Sequence, residues 1–429
     1  MRVAVAKTSR SIGAEIKSNA TALIPLLRER APEIEALGKL PDDVVEAMAQ
    51  AGIWKMVVPV ELGGYWPLPT RDVFEIVTEI SKGNCSAGWA TVINLTSDMA
   101  RDWPEQAQRE FFDLNHVGPF AGCSIFNLSH AEGVARQVEG GYMVKGAWSF
   151  STNIRTAAWE IGGTSVVGDD GQVQDRIHVM IPRSQLKIAD DWRVTGMKGS
   201  GSNTAYTDEE VFVPEYRTVK VSEIIKKALE GGIKEVQVAS SGPAAAALGG
   251  LGAGIAAIAL GGAYGALEIF IGKAKTRKPW AQAYPTIADM PSTQITVAKV
   301  RTKISVCEAA LRRAVDRVDR EAAGEDLQLS PQEAEIDTYY ESVFAVSTLR
   351  DAIADLQNVI GSSTAAEGDL LGMFARDVRV MSMHGGLRLD WWSESYGRSL
   401  LGLPPKPGMN LESEPARRPR VKHVELIGG

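Results

Sequence analysis

The sequence predicts a mainly α-helical fold with a central β domain. Apolar residues recur at helical spacing in the N-terminal and C-terminal parts of the chain, whereas the middle part shows short β-type runs separated by turns. A length of 429 residues exceeds one ordinary domain. We therefore expect a helical domain over 1–115, a β domain over 116–225, a four-helix bundle over 226–403 and an extended tail over 404–429.

The N-terminal domain is predicted from two amphipathic helices and the loop between them. Residues 41–43 read Pro-Asp-Asp and place acidic side chains in the first turn of a helix that Gly52 ends. A loop rich in Pro and Gly follows at 58–64. Apolar residues at helical spacing over 73–80 then predict a second helix.

The β domain is predicted from short runs of β-branched and alternating residues. The runs 134–138 and 142–144 flank the Gly-Gly pair at 140–141, which is a hairpin signal. The runs 177–181 and 210–213 have the same β character.

Four long helical segments are predicted in the last part of the chain, roughly at 243–276, 290–322, 331–360 and 366–398. Long helices with short connections are typical of a four-helix bundle. The stretch 240–267 has no charged residue and is long enough to span a bilayer. Its Gly/Ala-rich composition favours a helix buried in the middle of the bundle, so we expect no membrane span.

Composition argues against several other classes of function. The chain is 45% apolar and 23% charged, as in soluble globular proteins, and its net charge of −7 disfavours a nucleic-acid partner. The three cysteines and five histidines are scattered, so we expect neither a disulfide framework nor a bound metal. Residues 1–17 lack the apolar core of a signal peptide, which favours a cytoplasmic protein.

Several short motifs resemble, in the same order, those of the acyl-CoA dehydrogenase superfamily. They are the loop 58–64, the run Lys-Gly-Ala-Trp-Ser-Phe-Ser-Thr-Asn at 145–153, the segments 196–202 and 211–214, and the pair Arg376-Asp377. The resemblance covers nearly the whole chain. It implies that superfamily's fold, which has an N-terminal helical domain, a middle β-barrel-like domain and a C-terminal four-helix bundle.

The segment after the Arg-Asp pair separates two chemistries. A dehydrogenase of this superfamily needs a carboxylate base that removes a proton from an acyl thioester. Many members carry a Tyr-Glu pair at the point where this chain has His384 and Gly385. The resemblance therefore favours a monooxygenase. A dehydrogenase with its base elsewhere is the main alternative, and a relative that only binds flavin or an acyl group is another.

Four further motifs resemble the two-component flavin monooxygenases, which include the dibenzothiophene monooxygenases and the oxygenase components of 4-hydroxyphenylacetate and steroid-ring phenol hydroxylases. They are Ser-Ala-Gly-Trp at 86–89, Asp-Asp-Trp at 190–192, Thr-Arg-Lys-Pro-Trp at 276–280 and Tyr-Gly-Arg-Ser-Leu-Leu-Gly-Leu at 396–403.

This closer resemblance implies an oxygenase component that takes FMNH2 or FADH2 from a separate NAD(P)H-flavin reductase. With O2 it would oxygenate a small aromatic or heteroaromatic substrate through a C4a-hydroperoxide. A homotetramer is also expected. An NAD(P)H site in this chain is not, because no Gly-x-Gly-x-x-Gly follows an N-terminal strand.

The resemblance also implies the site residues. His384 and Thr152 are the expected catalytic residues, because histidine titrates near neutrality and the Thr152 hydroxyl matches the group that contacts flavin N5 and O4. The expected cofactor contacts are Trp89, Ser124, Phe150, Ser151, Thr152 and Trp192 around the ring, with Trp148 also flanking it, and Lys275, Arg277 and Ser363 around the phosphate. Ser363 stands where the dibenzothiophene enzymes have an arginine.

Overall fold

The computed structural model describes the chain over residues 9–123, 133–223, 245–329 and 331–404. Ser124, one of the predicted site residues, lies outside these ranges, and so does the predicted tail from residue 405 onward.

The N-terminal part is helical, as predicted. Its helices are α1 (Ser9–Glu29), α2 (Ala31–Leu37), α3 (Asp42–Gln50), α4 (Thr70–Gly83), α5 (Cys85–Leu95) and α6 (Glu105–Phe111). Helix α3 starts directly after Pro41, and Gly52 beyond its end has a φ of 87°. Helix α5 is buried along almost its whole length, which suits its lack of a polar face.

The middle part forms a sheet with a packed interior. Its strands are β1 (Ala121–Cys123), β2 (Gly133–Val138), β3 (Gly141–Trp148), β4 (Trp159–Val167), β5 (Val173–Pro182), β6 (Lys187–Ile188), β7 (Ala205–Tyr206), β8 (Val211–Pro214) and β9 (Thr218–Lys220). Their order in the sheet is β6-β7-β3-β2-β4-β5-β9, with β1 beside β4 and β8 beside β3. The predicted β2–β3 hairpin is present and turns at Gly140, whose φ is 78°.

The C-terminal part is a bundle around one apolar helix. Its helices are α7 (Ala245–Thr276), α8 (Pro291–Ala322), α9 (Pro331–Ile360), α10 (Leu370–Met381) and α11 (Leu389–Leu400). Helix α7 packs against α4, α5, α8, α9 and α10. Gly252–Thr276 is apolar and long enough to cross a membrane, but 78% of its most apolar window is buried inside the molecule. The prediction of a buried bundle helix is confirmed.

The predicted fourth helix, 366–398, is wrong as a single element. The structure divides it into α10 and α11, which are separated by a 3-10 turn at Gly385–Leu387. Two consecutive glycines disfavour a helix by about 1 kcal/mol each relative to alanine. His384 begins the turn with an extended ψ of 139°, and its side chain caps the turn. This break places His384 at the edge of the bundle.

The Arg-Asp pair on α10 ties the three parts of the fold together. Asp377 accepts a hydrogen bond from the Met197 backbone N–H at 2.6 Å, and Arg376 donates to both carboxylate oxygens of Glu35 on α2 at 2.8 and 3.0 Å. A Cβ on Gly196 would lie 2.3 Å from the carbonyl oxygen of Arg376. The loop 196–203 is therefore anchored to the bundle on one side and faces the site on the other.

Candidate active site

Four side chains from distant parts of the sequence form one contacting cluster, and the region that it borders is the candidate cleft. They are Trp89 on α5, Thr152 after β3, Ser202 in the loop 196–203 and His384 in the turn before α11. Trp89, Thr152 and Ser202 are at most 8% exposed, so a ligand in this cleft would meet polar groups that are already desolvated.

Thr152 is held by its backbone on both sides. Its carbonyl accepts from the Cys123 N–H at 3.2 Å, which joins it to the end of β1. The neighbouring amide of Asn153 donates to the Ser200 carbonyl at 3.1 Å, and the amide of Ser151 donates to the Asn203 carbonyl at 3.2 Å. The turn after β3 is thus bonded to the loop 196–203, and the Thr152 hydroxyl has a fixed position.

The Thr152 hydroxyl belongs to a chain of hydrogen bonds. Trp89 Nε1 donates to Thr152 Oγ1 at 3.2 Å, Thr152 Oγ1 lies 2.8 Å from Ser202 Oγ, and Ser202 Oγ lies 2.8 Å from Ser200 Oγ. An indole N–H can only donate, so Thr152 accepts from Trp89. The sequence analysis missed Ser200 and Ser202. The only signal was two hydroxyls at alternate positions of a glycine-rich motif.

His384 faces Trp89 from the bundle side. The two rings meet edge to face, with centroids 5.5 Å apart and planes at 63°. His384 Nδ1 accepts a hydrogen bond from the Gly386 N–H at 3.2 Å. Burial lowers the pKa of His384 below its usual value, so the ring is neutral at neutral pH. With Nδ1 as an acceptor, the ring proton is on Nε2.

Two aromatic residues form the exposed edge of the cleft. Phe150 has a φ of 58° and is 66% exposed. Its ring meets that of Trp192 edge to face at 6.0 Å, and Trp192 Nε1 donates to the Met197 carbonyl at 3.2 Å. A left-handed backbone conformation is rare for a bulky residue and clusters at functional sites, which marks Phe150 as a candidate site residue.

Two of the expected ring contacts point elsewhere. The Ser151 side chain is fully buried, and its hydroxyl lies 2.8 Å from Glu160 Oε1 and 3.0 Å from the Trp148 carbonyl oxygen. Trp148 lies inside the sheet and donates from Nε1 to the Gly163 carbonyl at 2.9 Å. Neither side chain reaches the cleft, because each is buried and makes its hydrogen bonds inside the β domain. The expectations for the Ser151 and Trp148 side chains are therefore wrong.

The expected phosphate contacts lie at the far end of α7. Arg277 Nη1 donates to Ser363 Oγ at 2.5 Å, so the structure brings these two predicted residues together. Lys275 is exposed, whereas Lys273 pairs with Asp369 at 2.6 Å. Arg277 provides the charge at this end, and Ser363 adds a hydroxyl beside it.

The two groups of predicted residues are far apart within one chain. Gly88, one residue before Trp89, packs against Ile258 on α7. Arg277 follows Ile258 by 19 positions, which correspond to roughly 28 Å at the helical rise of 1.5 Å per residue. One chain therefore holds the Arg277–Ser363 pair roughly 28 Å along α7 from the cleft.

The buried carboxylates near the cleft have structural partners among the described residues. Glu160 accepts from Ser151, and Asp377 accepts from the Met197 amide. Burial raises the pKa of Asp377 to about 7. Since both groups serve as anchors beneath the loops, neither is positioned like the open base of a dehydrogenase.

Comparison with known sequences connects this geometry to one family. Residues 253–388 match the family described as acyl-CoA dehydrogenase, C-terminal domain. A flavin-dependent monooxygenase, oxygenase subunit HsaA, from Rhodococcus jostii (strain RHA1) is 29% identical over 89% of this chain and 97% of its own length. An FADH2-dependent resorcinol hydroxylase, oxygenase component, from Rhizobium sp. (strain MTP-10005) is 25% identical over 89% of this chain and 92% of its own length.

Comparison with solved structures extends the likeness to the fold. The crystal structure of 3-HSA hydroxylase from Rhodococcus sp. RHA1 aligns with a TM-score of 0.76 at 26% identity. The alignment covers 92% of this chain and 98% of that chain. The helical, β and bundle parts of the two proteins therefore share one arrangement.

Proposed function

We propose that this chain is the oxygenase component of a two-component monooxygenase of the acyl-CoA dehydrogenase superfamily. It would take FMNH2 or FADH2 from a separate NAD(P)H-flavin reductase and use O2 to oxygenate a small aromatic compound. The proposal is supported by the match of residues 253–388 to the acyl-CoA dehydrogenase C-terminal domain and by 29% identity to a flavin-dependent monooxygenase over 89% of this chain. The name of the resorcinol hydroxylase includes the reduced flavin and an aromatic substrate, and both carry over to this chain as part of the proposal.

The single observation that best supports a monooxygenase is the position of His384. A neutral imidazole lies against Trp89 at the cleft, and the next residue, Gly385, stands where many dehydrogenases of the superfamily have their carboxylate base. A neutral ring with its proton on Nε2 can donate a hydrogen bond to an oxygen atom, whereas it is poorly suited to remove a proton from a carbon acid.

The side chains around the cleft fit a flavin. Phe150 and Trp192 offer aromatic surface to a planar ring, Thr152 offers a hydroxyl to a ring nitrogen, and Arg277 with Ser363 offers charge-assisted hydrogen bonds to a phosphate. When bound, reduced flavin supplies the activation of O2. Because Arg277 and Thr152 lie far apart in one chain, we propose that Arg277 serves the site of a neighbouring subunit in a homotetramer.

Each residue around the cleft would then have a separate role in the reaction. Thr152, held by Trp89 and Ser202, fixes the position of the ring through its hydroxyl. His384 Nε2 donates a hydrogen bond to oxygen, and the aromatic edge excludes water, which would otherwise compete for that bond. The substrate would occupy the space between His384 and the ring.

The experiment that tests this proposal compares two reactions of the purified protein. Reduced FMN or FAD, mixed with the protein, O2 and a panel of phenols, is expected to give a product one oxygen atom heavier than its substrate. The same protein with oxidised flavin and a series of acyl-CoA thioesters is expected to leave the flavin oxidised. Bleaching by an acyl-CoA without any phenol oxidation would instead establish a dehydrogenase.

A further inference from the structure

The turn between α10 and α11 is fixed by a buried indole. Trp392 on α11 is 1% exposed, and its Nε1 donates to the Gly386 carbonyl at 2.9 Å. Its ring stacks on Tyr339 of α9, with centroids 4.1 Å apart and planes at 25°. The indole therefore cannot shift without disrupting the packing of α11 on α9, and it holds the carbonyl of Gly386 in place.

Gly386 also determines whether His384 Nδ1 carries a proton. The Gly386 amide donates to His384 Nδ1 at 3.2 Å, and the Leu387 amide donates to the His384 carbonyl at 2.8 Å. A Cβ on Gly386 would lie 3.0 Å from Tyr339 Oη and 3.4 Å from His384 Nδ1, so the turn closes tightly on both side chains. A backbone N–H can only donate, and Nδ1 must therefore be unprotonated while this bond exists.

We propose that Trp392 is a positioning residue that, through Gly386, holds His384 in a single neutral tautomer with its proton on Nε2. The Nδ1 lone pair is then occupied, and Nε2 already carries a proton, so His384 is a hydrogen-bond donor at the cleft and not a general base. This inference rests on the proposed function only for the oxygen atom that would accept the hydrogen bond from Nε2. The tautomer itself is a property of the protein without flavin.

The first test measures that tautomer in the flavin-free protein. Nitrogen-15 NMR of protein labelled at its five histidines distinguishes protonated from unprotonated ring nitrogens, and the signals that vanish in His384→Gln identify His384. We expect Nδ1 unprotonated and Nε2 protonated at neutral pH. A proton on Nδ1 in the wild-type protein would overturn the inference, whatever reaction the protein catalyses.

The second test removes only the indole N–H. Trp392→Phe keeps an aromatic ring against Tyr339 but cannot bond to the Gly386 carbonyl, so we expect His384 to populate both tautomers. Trp391→Phe is the matched control, because the residue is adjacent and the substitution is identical, and it should leave the wild-type spectrum unchanged. An unchanged spectrum in Trp392→Phe would show that Trp392 does not position His384.

The third test separates a donor from a base in the loaded enzyme. Glutamine places an amide N–H close to the position of Nε2 and cannot accept or release a proton, whereas asparagine reaches only as far as Nδ1. We expect His384→Gln to keep product formation within about tenfold of wild type, since the hydrogen bond is retained, and His384→Asn to fall to the level of His384→Ala. Equal failure of Gln and Ala would contradict the donor role. Absence of product from the wild type would instead contradict the proposed function.

Discussion

The two ring nitrogens of His384 have different roles, which substitutions can test separately. Nδ1 caps the turn through the Gly386 amide, and Nε2 faces the cleft. We predict that His384→Ala loses about 10²–10⁴ in substrate oxidation, the usual worth of one group that handles a proton or oxygen in the transition state. Reduced-flavin binding should survive, and hydrogen peroxide release should rise. The measurement is product formed per reduced flavin consumed in a single turnover.

His384→Asn provides the structural control for this prediction. An asparagine can accept from the amide two residues ahead and so retain the cap, which in proteins contributes about 1 kcal/mol. The thermal stability of His384→Asn should therefore exceed that of His384→Ala, although both lose activity. Wild-type coupling and rate in either variant would show that His384 only packs against Trp89.

Arg277 is the strongest candidate for phosphate binding among the described residues. Its guanidinium already donates to the Ser363 hydroxyl, so both groups are held ready for an anion. We predict that Arg277→Ala weakens reduced-flavin binding by roughly 1.5–3 kcal/mol, the worth of a charge-assisted hydrogen bond. Arg109→Ala is the control, since it removes an exposed arginine of α6 that is not among the expected phosphate contacts. Equal affinities of wild type and Arg277→Ala in an anaerobic titration would remove Arg277 from the site.

At the scale of single residues, motifs pointed to Thr152 and His384, because the expected chemistry requires particular residue types at such positions. Ser202 could not be found in the same way. Its contact with Thr152 depends on how the loop 196–203 folds back on the turn after β3. Ser151 is the opposite case. It lies in a recognised motif, but the motif does not indicate in which direction its side chain points.

At the scale of elements, the long helices and the hairpin were predictable from periodicity and turn residues. The predicted segments 290–322 and 331–360 match α8 and α9 almost residue for residue. The break between α10 and α11 was not predicted, because apolar spacing continues across it. Gly385 and Gly386 disfavour a helix there, and the Trp392–Gly386 hydrogen bond, which no sequence pattern indicates, holds the turn in place.

Asp377 joins α10 to the loop that carries Ser202. Its carboxylate accepts the Met197 amide bond in a fully buried position. We predict that Asp377→Ala destabilises the protein by roughly 1–3 kcal/mol, because a buried amide loses its acceptor. Asp377→Asn keeps an acceptor oxygen without charge and should lie much closer to wild type. Urea unfolding of the three proteins measures this, and equal losses for Ala and Asn would show that charge, not the amide bond, is what matters.

His178 on β5 gives the sheet an acid-sensitive position. It is fully buried, neither ring nitrogen has a hydrogen-bond partner among the described residues, and burial lowers its pKa to about 4. Between about 6.5 and about 4 the unfolded chain binds a proton that the folded chain does not. This group therefore reduces stability as pH falls through that window, by about 3 kcal/mol in total at about 1.4 kcal/mol for each pH unit.

The predicted consequence is that His178→Leu removes this acid sensitivity. Asp377 titrates in the opposite sense, because its raised pKa makes the folded form take up a proton first. The wild-type protein and His178→Leu both contain Asp377, so the difference between their unfolding free energies at each pH reports on His178 alone. That difference should grow in favour of His178→Leu as pH falls from about 6.5 to about 4. Parallel curves would show that His178 is protonated normally in the folded protein.

At the scale of the whole molecule, the residues that the structure describes leave an apolar stripe exposed on α8. Ile295 and Val306 on α8 are 56% and 63% exposed, and Ala298, Thr302 and Ala309 continue the same face at helical spacing. Exposed apolar surface of this kind marks an interface. The separation of Arg277 from the Thr152 cleft supports the same proposal, since a second subunit would bring Arg277 to the cleft of its neighbour.

We predict a tetramer whose sites are shared between subunits. Light scattering should give four times 46.2 kDa, and Val306→Glu should lower the mass, because it would bury an unpaired carboxylate. Gln137→Glu, which adds the same charge at an exposed position on β2, is the control and should remain tetrameric. A wild-type monomer at micromolar concentration would contradict the assembly.

A site shared between subunits has a further consequence: two defective variants should complement each other when reduced flavin is too dilute to saturate Arg277→Ala. In a mixed oligomer of Arg277→Ala and His384→Ala subunits, a cleft on the first variant has an intact His384 and receives an intact Arg277 from the second. Such sites should restore activity to about a quarter of the wild-type level when the subunits mix randomly, provided that Arg277 acts across the interface. If Arg277 acts within its own subunit, every site carries one defect. Activity that stays at the level of the separate variants, in oligomers shown by mass to be mixed, would therefore place Arg277 in its own subunit's site.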